Sequence, residues 1–274
     1  MIKLGVLTSL KLGIREEMKK AHDLGFNSCQ ICCWDEPPEK LMTDENERII
    51  KECMEEFEMQ VSTFWCGWSG PAIWDFYEGP KTLGLVPEKY REIRAAQLKM
   101  GSDFAKRINV ENIATHVGFI PETPDCEQYK SLVECLRDVT TYVKNNGQYF
   151  LFETGQETPV TLLRTIEDVG TGNLGLNLDP ANLILYGKAN PVDALDVIGK
   201  YVRDIHGKDG CYPTEGKNLG METPLGEGKV NFPKFIARLK EIGYDRTITI
   251  EREITGDKQV EDIKRAKALL ESLI

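Results

Sequence analysis

The chain has 274 residues, 41% of them hydrophobic and 28% charged, so it carries enough apolar side chain for a sizeable core and too much for a disordered polymer. With 34 Lys+Arg against 44 Asp+Glu the formal charge is −10, and no basic stripe offsets it. That balance excludes nucleic acid as an expected partner, because phosphate neutralisation supplies most of such affinity. No stretch approaches the roughly 18 apolar residues that a membrane span requires.

The chain opens on Met1-Ile2-Lys3-Leu4-Gly5-Val6-Leu7, which reads as a first strand rather than a secretion signal. Eight cysteines without such a signal point to reduced thiols and a cytoplasmic location. Short apolar runs predict strands at Ile2–Thr8, Ser28–Cys32, Gln60–Trp65, Asn112–His116, Tyr149–Glu153, Leu174–Asp179, Val202–His206 and Thr247–Glu251. Cys29 and Cys32 match a C-x-x-C spacing, but inside a strand they read as buried thiols.

Amphipathic stretches alternate with these runs. Ile49, Ile50, Cys53, Met54 and Phe57 predict one apolar helix face, and Ile93, Ala96, Met100 and Phe104 a second. Leu132, Val133, Leu136, Val139 and Val143 predict a third, and Val260, Ile263, Ala266, Leu269, Leu270 and Leu273 the last. Eight strand–helix units without a glycine-rich phosphate loop favour an α/β fold in which residues 1–274 form a single (βα)8 barrel, over an open doubly wound sheet. The connections at 67–86 and 208–229 are unusually long, and both leave the C-terminal end of a strand, where barrel enzymes build their sites.

Polar residues break the strand pattern at four consecutive tips. Phe150-Leu151-Phe152-Glu153, Leu176-Asn177-Leu178-Asp179, Arg203-Asp204-Ile205-His206 and Ile248-Thr249-Ile250-Glu251 each end in a group that can bind a metal. Any one of them alone reads as a helix cap or a solvated loop residue. Three carboxylates brought together in a barrel mouth repel one another unless a cation joins them. Carboxylates and imidazole without thiolate suit one divalent ion of octahedral preference, Mn²⁺ or Mg²⁺ first, with Co²⁺ and Zn²⁺ compatible.

These segments, with His206-Gly207-Lys208-Asp209 and Pro224-Leu225-Gly226-Glu227-Gly228, resemble the xylose isomerase-like TIM-barrel superfamily of sugar phosphate isomerases and epimerases. The resemblance runs over the whole chain and is strongest from Phe152 to Glu251. It implies that Glu153, Asp179, His206 and Glu251 are the metal ligands, and that Glu153 and Glu251 double as the acid/base pair. Many members carry a histidine three residues after the aspartate, often against substrate or a second metal. Asn182 stands there instead, so it is expected to face substrate and a dinuclear site is disfavoured. The three histidines, His22, His116 and His206, are too few for the multi-zinc cluster of the endonuclease members.

Around this centre, His116 at a strand end is expected to act as a catalytic acid or substrate ligand. Lys208, Gln156, Glu157, Arg252, Trp65 and Trp68 are the expected substrate contacts. The rival readings are ion pairs for Lys208 and Arg252, a helix cap for Glu157, and packing within the loop for the tryptophans. Metal polarisation of a carbonyl with carboxylates on either face predicts a sugar or keto-sugar isomerase or epimerase working through an enediolate. A lyase, dehydratase or deglycosidase on a keto-sugar, inosose or glycoside would use the same intermediate. A barrel that only binds its ligand is a third alternative, and self-association into a homo-oligomer is left open.

Overall fold

The computed structural model describes residues 1–35 and 37–274. The barrel strands are β1 (Lys3–Ser9), β2 (Ser28–Cys33), β3 (Gln60–Cys66), β4 (Asn112–Thr115), β5 (Tyr149–Glu153), β6 (Leu174–Leu178) and β7 (Val202–Gly207). A short antiparallel pair, β8 (Asp209–Cys211) and β9 (Met221–Thr223), follows, and β10 (Thr247–Ile250) completes the barrel. Every barrel pairing is parallel, and closure comes at β1, where Val6 registers with Cys29 on one side and Ile250 on the other. Each expected strand is present, β5 with the expected bounds and the others with no end moved by more than one residue.

The helices are α1 (Ile14–Asp23), α2 (Asp44–Glu56), α3 (Gly79–Thr82), α4 (Glu88–Arg107) and α5 (Glu127–Asn145), then α6 (Pro159–Val169), α7 (Pro180–Leu185), α8 (Pro191–Ile198), α9 (Phe232–Glu241) and α10 (Asp257–Leu273). Among the described residues, no helix is long and apolar enough to cross a membrane. Three of the four predicted helix faces pack inward. The second does not: Ile93 and Met100 are 52% and 45% exposed, and α4 buries Arg94, Ala95, Gln97, Leu98, Gly101 and Ser102 beside Phe104.

Polar side chains on the buried face of α4 explain that reversal, because they hold the 67–86 connection. The Arg94 guanidinium donates to the carbonyls of Ser69, Pro71, Thr82 and Gly84 at 2.6–3.1 Å and lies 4.0 Å from the Trp68 ring centre. Gln97 accepts from the Ser69 amide at 2.8 Å. Hydrophobic periodicity is blind to a buried charge that donates to a loop's carbonyls. The same loop is seated on the end of β4 at Gly84, where φ is +66° and a Cβ would lie 2.0 Å from the Val117 carbonyl oxygen. Only glycine allows that approach.

The 208–229 connection is built around Asp209. Its carboxylate accepts from the amides of Gly210, Gly226, Gly228 and Val230 at 2.8–3.1 Å. A Cβ at Gly228 would lie 2.1 Å from Asp209 Oδ1, so the glycines of the Pro224–Gly228 turn serve this aspartate. The two long connections also meet. The Phe76 amide donates to the Lys217 carbonyl at 2.9 Å, and Asp75 bridges Asn218.

Replacing Arg94 by Met should strip four carbonyls of their donor and destabilise the fold by about 3 kcal/mol. Denaturant titration reads this directly; a loss below about 1 kcal/mol would show that the loop is held by other contacts.

Candidate active site

Glu153 ends β5, Asp179 follows β6, His206 lies in β7 and Glu251 follows β10, and the barrel order β10-β7-β6-β5 makes these neighbouring strands. One ligand-capable atom from each residue lies within 4.8 Å of all the others. His206 Nδ1 is 2.9 Å from Glu251 Oε2, 3.3 Å from Glu153 Oε1 and 3.7 Å from Asp179 Oδ2.

The orientation of His206 is set from inside the barrel. Its Nε2 lies 2.9 Å from Gln30 Oε1 and 3.0 Å from the Asn177 amide, while Gln30 Nε2 donates to Asn177 Oδ1 at 3.1 Å. A proton on Nε2 satisfies the Gln30 oxygen and leaves the Nδ1 lone pair facing the carboxylates. Asp179 divides its two oxygens. Oδ1 accepts from the Asn182 amide at 2.9 Å and caps α7, while Oδ2 points into the cluster. The capping reading of this residue holds on one oxygen and leaves the other free to face the cluster.

Asp179 Oδ2, His206 Nδ1 and Glu251 Oε2 are buried and make no hydrogen bond among the described residues. Three converging donor atoms without a hydrogen-bonded partner fit a cation, and the oxygen-rich set fits a hard or borderline divalent ion. Electrostatics agree. Burial pulls the His206 pKa down, but the charges of Glu251 and Glu153 outweigh it and hold it well above the ordinary value. Burial raises Glu153, yet the imidazoles of His116 and His206 together with Lys208 bring it below the usual carboxylate range.

The cluster opens on a cavity of about 310 Å³, within the range of small-molecule sites. His116 follows β4 and lines it, with Nε2 3.4 Å from Glu153 Oε1 and Nδ1 free of any hydrogen bond. Trp65 lines it and donates its indole N–H to Glu153 Oε2. Asn182 lines it too, with Nδ2 3.4 Å from Glu153 Oε1 and Oδ1 3.4 Å from the Lys208 ammonium. Lys208 reaches the cavity but is also paired, at 3.5 Å from both Asp179 and Glu251 and against Glu253.

The remaining expected contacts stand elsewhere. Arg252 pairs with Glu222 at 2.5 Å and Asp262 at 2.9 Å, outside the cavity lining, so the ion-pair reading holds. Trp68 is tied up beneath Arg94 and does not line this cavity. Gln156 sits behind the wall and donates to the Tyr186 hydroxyl at 2.9 Å. Glu157 is fully buried and does not cap α6, whose cap is Thr158. Among the described residues neither carboxyl oxygen of Glu157 meets a hydrogen-bond partner of good geometry, and burial pushes its pKa up to about 8. Cys29 and Cys32 are both free, and burial raises both thiols, Cys29 to about 12, which leaves neither as a ready redox group.

Sequence reasoning missed Gln30 and Asn177, although each is an amide interrupting an apolar strand. It also missed the cavity-lining role of Trp34, Tyr186 and Glu253, while Trp74, one of the rings crowded after the third strand, does line the mouth. Those four come from connections, which no periodicity orients.

Two measurements test these electrostatics. Mn²⁺ needs the Nδ1 lone pair, so loading should release a proton and affinity should fall as pH drops. Calorimetry in two buffers of different ionisation enthalpy reads this, and equal heats would refute it. A neutral Glu157 that ionises only near pH 8 makes the native state bind more protons than the unfolded chain above pH 4.5. Stability should therefore fall from pH 4.5 to 8, and Glu157→Gln should remove that slope; parallel pH profiles would place Glu157 in a polar setting.

The sequence profile of the family described as xylose isomerase-like TIM barrel matches residues 18–273. A xylose isomerase domain protein from Planctomyces limnophilus is 38% identical, with a TM-score of 0.92 over 99% of this chain and 97% of that one. An uncharacterised protein of Methanocaldococcus jannaschii is 23% identical over 100% of this chain and 89% of its own length. The solved structure of a D-tagatose 3-epimerase-like protein superposes with a TM-score of 0.77 at 22% identity, covering 99% and 98% of the two chains. With a profile match from α1 to the end of α10 and the four-strand cluster in place, the chain belongs to the xylose isomerase-like TIM barrel family.

Proposed function

We propose that the chain is a divalent-metal-dependent isomerase or epimerase of a sugar or keto-sugar, with Glu153, Asp179, His206 and Glu251 as the ligands. The observation that carries this reading is the placement of the two glutamates. They stand on β5 and after β10, on either side of Asp179 and His206, so a substrate over the cluster has a carboxylate at each flank. A divalent ion held there supplies Lewis-acid polarisation of the substrate carbonyl.

The chain's own residues do the rest. One glutamate takes the proton from the carbon beside the carbonyl and the other returns a proton to the opposite face of that carbon, inverting it. Return to the neighbouring carbon gives aldose–ketose exchange instead. The Trp65 indole and Asn182 Nδ2 each hold one oxygen of Glu153, which fixes the carboxylate against rotation. Lys208 turns a buried ammonium toward the same space. Buried donors fixed in this way stabilise oxyanion charge at no cost of reorganisation. The epimerase-like name of one fold relative agrees with this assignment.

His116 supports a second reading. Its unpartnered Nδ1 in the cavity wall is placed to protonate a leaving hydroxyl, which would turn the same intermediate toward elimination. Metal-stripped protein restored with Mn²⁺ and incubated with ketoses, keto-glucosides and inososes in D₂O should incorporate deuterium, and product analysis then separates epimerisation from dehydration. Glu153→Gln should lower turnover at least about 100-fold. Turnover unchanged by that substitution, or by removing the metal, would sink the assignment.

A further inference from the structure

A second cavity, of about 390 Å³, lies against the first and shares two of its walls, Trp34 and Trp74. Trp68, Pro71 and Ala72 complete its apolar lining. Its charged rim is Lys11 and Asp35, which pair with each other at 3.0 Å. The two shared rings stand 6.2 Å apart at 47°, and Trp74 and His116 meet edge to face at 5.1 Å. Trp74 is also 40% exposed, a large apolar surface left in water at the mouth. Its packing against Trp34 and His116 leaves one part of the indole open, which the C–H face of a sugar or an aromatic ring would cover.

Charge narrows the ligand further. Among the described residues lining the inner cavity Lys208 is the one Lys or Arg, and Asp179, Glu251 and Glu253 already surround it. Counting formal charges, Glu153, Asp179, Glu251 and Glu253 give −4, Lys208 returns +1 and a divalent ion +2, leaving −1. A phosphorylated or carboxylated sugar would have to be desolvated in a negative chamber without a cation of its own.

Resting on the keto-sugar reading above, we propose that the substrate is an uncharged keto-glycoside. Its reacting ring occupies the inner cavity, and its aglycone or second sugar ring lies in the outer cleft across Trp34 and Trp74. Trp68 then contributes to substrate binding after all, from the outer cleft.

The test compares a free keto-glucose, its phenyl glycoside and its 6-phosphate on the Mn²⁺-loaded enzyme. The phenyl glycoside should have a kcat/KM at least 10-fold above the free sugar, and the phosphate should be the poorest of the three. Ala72→Phe, which fills the outer cleft, should bring the glycoside-to-free-sugar ratio close to one. A preference for the free sugar or the phosphate, or a ratio that survives Ala72→Phe, would overturn the proposal while leaving the metal-dependent chemistry intact. If none of the three takes up deuterium from D₂O, it is the chemistry that has failed. Tryptophan fluorescence with unreacted phenyl glucoside then decides the cleft: quenching that Ala72→Phe abolishes supports it, and absence of quenching overturns it.

Discussion

Three carboxylates held around one imidazole nitrogen at the mouth of a barrel are an unstable arrangement unless positive charge is shared among them. Much of the polar interior can be understood as the arrangement that makes this cluster tolerable. Gln30 and Asn177 reach up through the barrel to fix the ring of His206, and Thr154 exchanges hydrogen bonds with the backbone of Asp179 at 2.8 Å on both sides. Lys208 adds a buried ammonium within 3.5 Å of two of the carboxylates. Each of these groups is paid for in desolvation and would be a liability in an apolar core. Together they hold a site in which charge is concentrated and direction is fixed.

The catalytic proposals draw on the same constraint. A general base is useful only if it stays where the substrate proton will be, and each oxygen of Glu153 already has an N–H donor. Epimerisation and elimination need the same first step, so the cluster alone does not separate them. What separates them is the wall above it, where His116 stands edge-on to Trp65 and Trp74.

Most of the barrel could be read from the sequence because a parallel strand covered on both faces has a plain signature, and a carboxylate at its end breaks that signature visibly. Glu153, Asp179, His206 and Glu251 were legible for this reason. The α4 face was not, because Arg94 and Gln97 are buried against loop carbonyls while Ile93 and Met100 face water. Arg252 and Glu157 were harder to place for a related reason: near a ligand in sequence is not near it in space. Arg252 points to Asp262 on α10, and Glu157 is sealed beneath the α6 cap. The tryptophans after β2 and β3 were countable but not orientable, since connections have no period to align them.

The junction between the two long connections has its own consequence. The hydrogen bond from Phe76 to Lys217 and the bridge from Asp75 to Asn218 tie the connection after β3 to the one after β7, across the opening of the barrel. Outward movement of either segment alone would break both ties. Widening the entrance is therefore one concerted event, and the Phe76 amide proton should exchange with solvent at the frequency of that event.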